Sequence, residues 1–85
     1  MVLRHLRAVK IIRMKKGQAP TSADRIYITR RRDGTACWNG AVGLRGGVFG
    51  YSTSDRQSVA EAEAEAINWA QANGASEIII EDGEA

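Results

Sequence analysis

Three sets of residues carry groups capable of chemistry, and in each the constellation is incomplete. His5 is the only histidine, and no acid precedes Asp24, so a general acid–base role has no positioned partner visible in the sequence. Cys37 is the only thiol, with that single distant imidazole as company; neither a zinc site nor a Cys–His nucleophile reaches its ligand count. An inert, partly buried thiol is the expected state. Gly40, Gly43, Gly46 and Gly47 suggest a phosphate cradle, but such cradles present their amides at the start of a helix. The helix expected here starts only near Ser58, after another strand, so these glycines read as sheet geometry. The sequence therefore implies no catalytic residue, no metal ligand and no cofactor, and points to a non-enzymatic protein.

Charge is the stronger signal. Residues 1–50 hold eleven of the twelve Lys and Arg and two acids, Asp24 and Asp33, a balance of +9; residues 51–85 hold Arg56 and eight acids, a balance of −7. Folded into one domain, these halves are expected to form a basic and an acidic region on different surfaces, which would steer charged partners. On the basic side, Arg13, Lys15 and Lys16 close the first strand, and Arg30, Arg31 and Arg32 run up to a turn. Alternation places Tyr27, Thr29 and Arg31 on the face away from Ile26 and Ile28, joined by Cys37 and Asn39. A sheet face with a tyrosine and basic margins suits a nucleic-acid backbone. On the acidic side, Glu61 and Glu65 with Glu81, Asp82 and Glu84 either solubilise the helix and C-terminus or offer a negative surface to a basic groove on another protein.

The elements that must position these residues are legible in the patterning. Eighty-five residues make a single domain, 1–85, and folding at this size removes roughly 60–70% of the chain's surface from water. No apolar stretch approaches the ~20 residues of a membrane span. Lys10, Arg13, Lys15 and Lys16 interrupt any signal-peptide core, and a lone cysteine fits a reducing cytoplasm. Leu6, Ala8, Ile12 and Met14 share a face under strand alternation, although the segment from Val2 also admits a helical reading. Residues 15–24 contain Gly17 and Pro20 and read as a mobile loop. Arg25–Arg32 and Thr35–Leu44 flank Asp33-Gly34, a hairpin signal. A three-residue loop, Arg32-Asp33-Gly34, with Gly34 left-handed, sets Ile28 opposite Trp38 and gathers the large apolar groups on one face. Arg45-Gly46-Gly47 turns into a strand from Val48 to Thr53, and the glycine density predicts bulges or strong twist.

The helix is announced by a capping box, Ser58 with Glu61, and stopped by Gly74. Val59, Ala62, Ala66, Ile67, Trp69 and Ala70 fall on one side; Glu63 lies inside that arc and needs an exit to solvent or a basic partner. Ile78–Ile80, flanked by acids, predicts a central or well-covered strand. The fold class is thus α+β, an antiparallel sheet of four or five strands in the order β-β-β-β-α-β, with one helix packed on one face and both tryptophans in the core.

From about residue 26 to 83 this layout, carried by the Asp33-Gly34 turn, the alanine run 60–66, Gly74 and Ile78–Ile80, resembles uncharacterised small bacterial β-β-α-β domains. It is also similar to small phage-encoded anti-CRISPR proteins. The shared residues are structural and no functional motif is carried over. What the resemblance implies is a mobile-element accessory protein, an inhibitor or adaptor that occupies a surface of a larger protein or nucleoprotein complex. The alternative reading is a nucleic-acid-binding module built on the basic N-terminal strands. Homodimerisation through an edge strand is compatible with both.

Overall fold

The computed structural model describes residues 9–20, 22–43 and 47–82. His5, the segment 2–8 of the first expected strand, Arg45-Gly46 of the expected turn, and Glu84 lie outside these residues. Strand β1 is Lys10–Lys15, β2 is Arg25–Arg30, β3 is Thr35–Val42, β4 is Val48–Tyr51 and β5 is the two-residue Gln57–Ser58. Helix α1 covers Val59–Ala72 and β6 covers Glu77–Asp82. The α+β class with a single helix on one face is as the sequence implies. The sheet itself is mixed rather than purely antiparallel. Its order is β1-β6-β2-β3-β4, with β5 on β3, and β6 runs parallel to both β1 and β2. The sequence of turns could reveal the antiparallel hairpins; it could not reveal that the last strand inserts between the first two.

The β2–β3 hairpin has the expected register. Ile28 stands opposite Trp38, the Arg31 amide donates to the Thr35 carbonyl at 2.8 Å, and Gly34 adopts φ +90°. The left-handed region is open to glycine at no steric cost, and Asp33 stiffens the turn by accepting from the Thr35 amide at 2.9 Å. Ile26, Ile28, Ala36, Trp38 and Val42 from the hairpin join Ile78 and Ile80 in one buried cluster under α1. Each fully buried aliphatic side chain contributes about 1.5–3 kcal/mol.

Helix α1 starts as its sequence requires. The Ser58 hydroxyl accepts from the Glu61 amide while the Glu61 carboxylate accepts from the Ser58 amide, satisfying two donors that the first turn leaves free. Ala62, Ala66 and Ala70 are fully buried, one small residue per turn, which lets the helix axis approach the sheet closely. Trp69 uses the space that results. Gly40 and Gly50 face each other across β3 and β4, and together they form a floor for the indole. A methyl group on Gly40 would lie 2.8 Å from Trp69 Cζ3, and one on Gly50 would overlap the indole outright. The glycine density therefore serves a close approach, where the sequence suggested bulges or twist. Trp38 completes the stack, its ring centroid 5.2 Å from that of Trp69 at 44°.

Because β1 and β2 are both parallel to the strand between them, the connecting segment must cross β6. It crosses the face opposite α1. There the amides of Gly17 and Ala19 donate to Glu81 Oε2 at 2.6 and 3.3 Å, and the Gln18 side chain accepts from the Lys15 amide at 3.2 Å. Two amides of the expected loop are thus hydrogen-bonded to β6.

The indole floor gives a direct test. Gly50→Ala should destabilise the fold by about 1–3 kcal/mol through overpacking, read as a lower urea midpoint at unchanged slope. Gly47→Ala, where an added methyl meets nothing within 4 Å, should shift the midpoint little. Equal effects at the two positions would contradict the close approach of Trp69.

Candidate functional site

Strand alternation divides the sheet into two faces with different fates. The even positions of β2 and β3 point into the α1 core. Their odd neighbours form two rows across the other face: Ile12, Ile79, Arg25, Ala41 and Phe49 in one, and Met14, Glu81, Tyr27, Asn39 and Tyr51 in the next. The crossing segment covers the β6 end of both rows, so that Ile79 and Glu81 are buried. Among the described residues no helix or strand covers the β2–β3–β4 end. There Phe49 and Tyr51 are each 76% exposed, the largest apolar exposure on the molecule's described surface. Tyr27 stands half-buried between them and the crossing segment. Lys16 places its ammonium 5.7 Å from the centre of the Tyr27 ring, within reach of a cation–π contact. A shallow cavity of about 120 Å³ opens on this face between Arg25, Tyr27, Asn39, Phe49 and Glu81.

The nine residues singled out from the sequence do not converge on one site. Lys16 and Tyr27 meet on the open face. Lys15 ends β1 and is exposed, as is Arg32 at the hairpin tip. Arg31 donates to the Asp55 carbonyl oxygen at 2.7 Å and to Thr35 Oγ1 at 3.3 Å. Arg30, Arg31 and Arg32 border an open depression of about 450 Å³ beside Val59. Arg13 grips Glu63 of the helix with two nitrogens, at 2.9 and 2.5 Å, and this is the basic partner that Glu63 required. Arg30 likewise holds Asp82 of β6, with distances of 2.6–3.0 Å. Glu61 belongs to the helix cap.

Glu65 closes a latch of its own. Its Oε1 accepts from Trp38 Nε1 at 2.8 Å and from the Thr53 amide at 3.0 Å, and its Oε2 accepts from the Thr53 hydroxyl at 2.5 Å. These donors favour the ionised carboxylate and lower its pKa from the ordinary 4.5 to about 2, with the Thr53 hydroxyl as the largest cause. The hydrogen bond from Arg13 holds Glu63 low and Arg13 high by the same logic.

The expected segregation of charge is therefore corrected along β6. Among the described residues, the ion pairs Lys10–Glu77, Arg13–Glu63 and Arg30–Asp82 each join the basic half of the chain to the acidic half. Strand pairing joins Lys10 to Glu77 and Arg30 to Asp82, and helix packing joins Arg13 to Glu63. On the open face, Arg25, Asn39, Phe49 and Tyr51 lie beside the predicted Tyr27 and Lys16. Asn39 was legible as an open-face residue. The two aromatics were not: alternation in Val48-Phe49-Gly50-Tyr51 puts them together, but the face depends on the β3–β4 register. The signal that resolves it is the glycine pair, since Gly40 and Gly50 must share the face that receives an indole.

Among the described residues, no group of three or more His, Cys, Asp or Glu is arranged to hold a metal ion, and no helix is long and apolar enough to cross a membrane. Comparison with known proteins returns no match among family models, curated proteins or solved structures. The functional reading rests on the open face alone.

The Glu65 latch predicts a pH dependence of known sign. A carboxylate whose pKa is depressed on folding adds stability above its unfolded value, and loses that contribution as pH falls toward the folded value. Glu65→Gln should therefore cost most at neutral pH, and the gap to the parent protein should shrink between pH about 4.5 and 2. Urea midpoints of both proteins across this range provide the check. A gap that stays constant would show that the latch does not depend on the carboxylate charge.

Proposed function

We propose that this chain is a non-enzymatic binding module whose working surface is the open face of β2, β3 and β4, and that its partner is nucleic acid. One observation carries the reading: Tyr27, Phe49 and Tyr51 stand on a single uncovered sheet face beside Arg25 and Lys16. An exposed aromatic pair at an edge is costly to leave in water unless something binds it. Cations alone serve phosphates, and rings alone serve any apolar partner, whereas the two together suit a polymer of alternating phosphates and flat bases. The buried acid on this face, Glu81, is already engaged by two backbone amides. The overall charge is +2, which favours approach to a polyanion.

A protein partner is the second reading, favoured by the position of β4. Among the described residues it ends the sheet, and its outer backbone edge next to Phe49 and Tyr51 suits strand addition. Docking there would serve the inhibitor or adaptor role that the resemblance to small mobile-element proteins implies.

The nucleic-acid reading is tested by fluorescence anisotropy with labelled mixed-sequence DNA and RNA, each as single strand and as duplex, at 50–200 mM salt. Affinity should fall linearly on a log–log plot, with a slope of about −0.7 to −0.9 per phosphate contacted. Arg25→Glu should weaken it by about tenfold, equivalent to about 1.4 kcal/mol, with an unchanged circular dichroism spectrum. Absence of binding to all four probes at 50 mM salt would sink the reading and leave the β4 edge as the surface to pursue.

A further inference from the structure

Resting on that reading, we infer that the open face takes single-stranded nucleic acid, with bases stacked on Phe49 and Tyr51 and one base edge held between Arg25 and Asn39. Three features separate this from duplex binding. First, the rings are side-chain platforms on a nearly uncovered strand, and bases in a duplex have no free faces to offer them. Single strands do, and base–aromatic stacking tolerates any sequence. Second, Phe49 and Tyr51 lie two residues apart on one face of a strand, so their Cα atoms are about 6.6 Å apart. Neighbouring bases of one strand can therefore reach both rings. Third, the cavity beside them is small, about 120 Å³, and its rim pairs the donors of Arg25 with the donor and acceptor of the Asn39 amide. That combination reads the edge of an unpaired base.

The charge arrangement suits the same occupant. Lys16 sits above Tyr27 on the β2 side of the face, while the rings of Phe49 and Tyr51 stand on the edge strand β4. With cations on the β2 side and rings on β4, a strand can lay its phosphates toward the former and its bases onto the latter. A second copy of this chain would bring the Arg25 and Lys16 of both copies into one interface, concentrating like charge there.

Anisotropy titrations with 5′-labelled 12-nucleotide oligo(dT) and oligo(rU), and with a 12-base-pair duplex, decide the matter. The single strands should bind tighter than the duplex at equal salt. Phe49→Ala and Tyr51→Ala should each cost roughly 5- to 100-fold in single-strand affinity, and Tyr51→Phe should retain most of it. Both rings are 76% exposed, so the unfolding midpoints of these variants should move little. Duplex binding as tight as single-strand binding would overturn the inference, as would unchanged single-strand affinity in both alanine variants. Either result would leave the broader nucleic-acid reading standing. Failure of every probe to bind would remove both, and comparison of the DNA and RNA oligomers assigns the sugar.

Discussion

The structure depends on β6 fitting between two strands that precede it in the chain. Glu77–Asp82 is the last of the described elements, yet it lies in the interior of the sheet, hydrogen-bonded to β1 on one side and β2 on the other. Ile78 and Ile80 fill the core beneath α1 while Ile79 and Glu81 are buried on the opposite face. A strand buried on both faces cannot alternate apolar and polar residues, which is why the sequence here is a continuous β-branched run. Its acids are equally placed. Glu77 meets Lys10, Asp82 meets Arg30, and Glu81 receives the amides of the crossing segment. Until β6 docks, β1 has no strand to pair with among the described residues, so these contacts of high sequence separation must form together.

This insertion decides what the two sheet faces can do. One face is committed to α1, whose alanine stripe and Trp69 need close contact and obtain it from the glycines of β3 and β4. Among the described residues the other face is only half occupied, because the chain between β1 and β2 crosses β6 and stops there. The uncovered half is where the aromatic and basic residues gather. A small domain with a thin core has little room for an enclosed site, and a sheet face is the largest flat surface it can present.

The distribution of charge takes on a different meaning once the strands are paired. A +9 segment and a −7 segment read as two opposed patches only if they fold apart. Here they are laid against each other, and their contacts are ion pairs on a part-exposed edge. Such pairs contribute modestly, about 0–1 kcal/mol each, so their main effect is on register and neighbour choice: a basic β1 beside an acidic β6 disfavours alternative arrangements with like charges adjacent. The cations left to meet a partner, Lys16 and Arg25 foremost, are those placed beside aromatic rings.

Local order could be read from the residues directly. The three-residue turn at Arg32-Asp33-Gly34 follows from the need to set Ile28 opposite Trp38. The capping box at Ser58 and Glu61, the alanine stripe of α1 and the central character of Ile78–Ile80 follow from patterns a few residues long. The partner of Glu63, the role of Glu65 in a latch, and the exposure of Phe49 and Tyr51 did not. Each depends on residues brought together from distant parts of the chain. Periodicity states which side chains share a face, because that is a property of a strand or helix alone. It does not state which face is covered, because covering is done by another element, and here the covering element is set by a parallel insertion that leaves no mark on the local pattern.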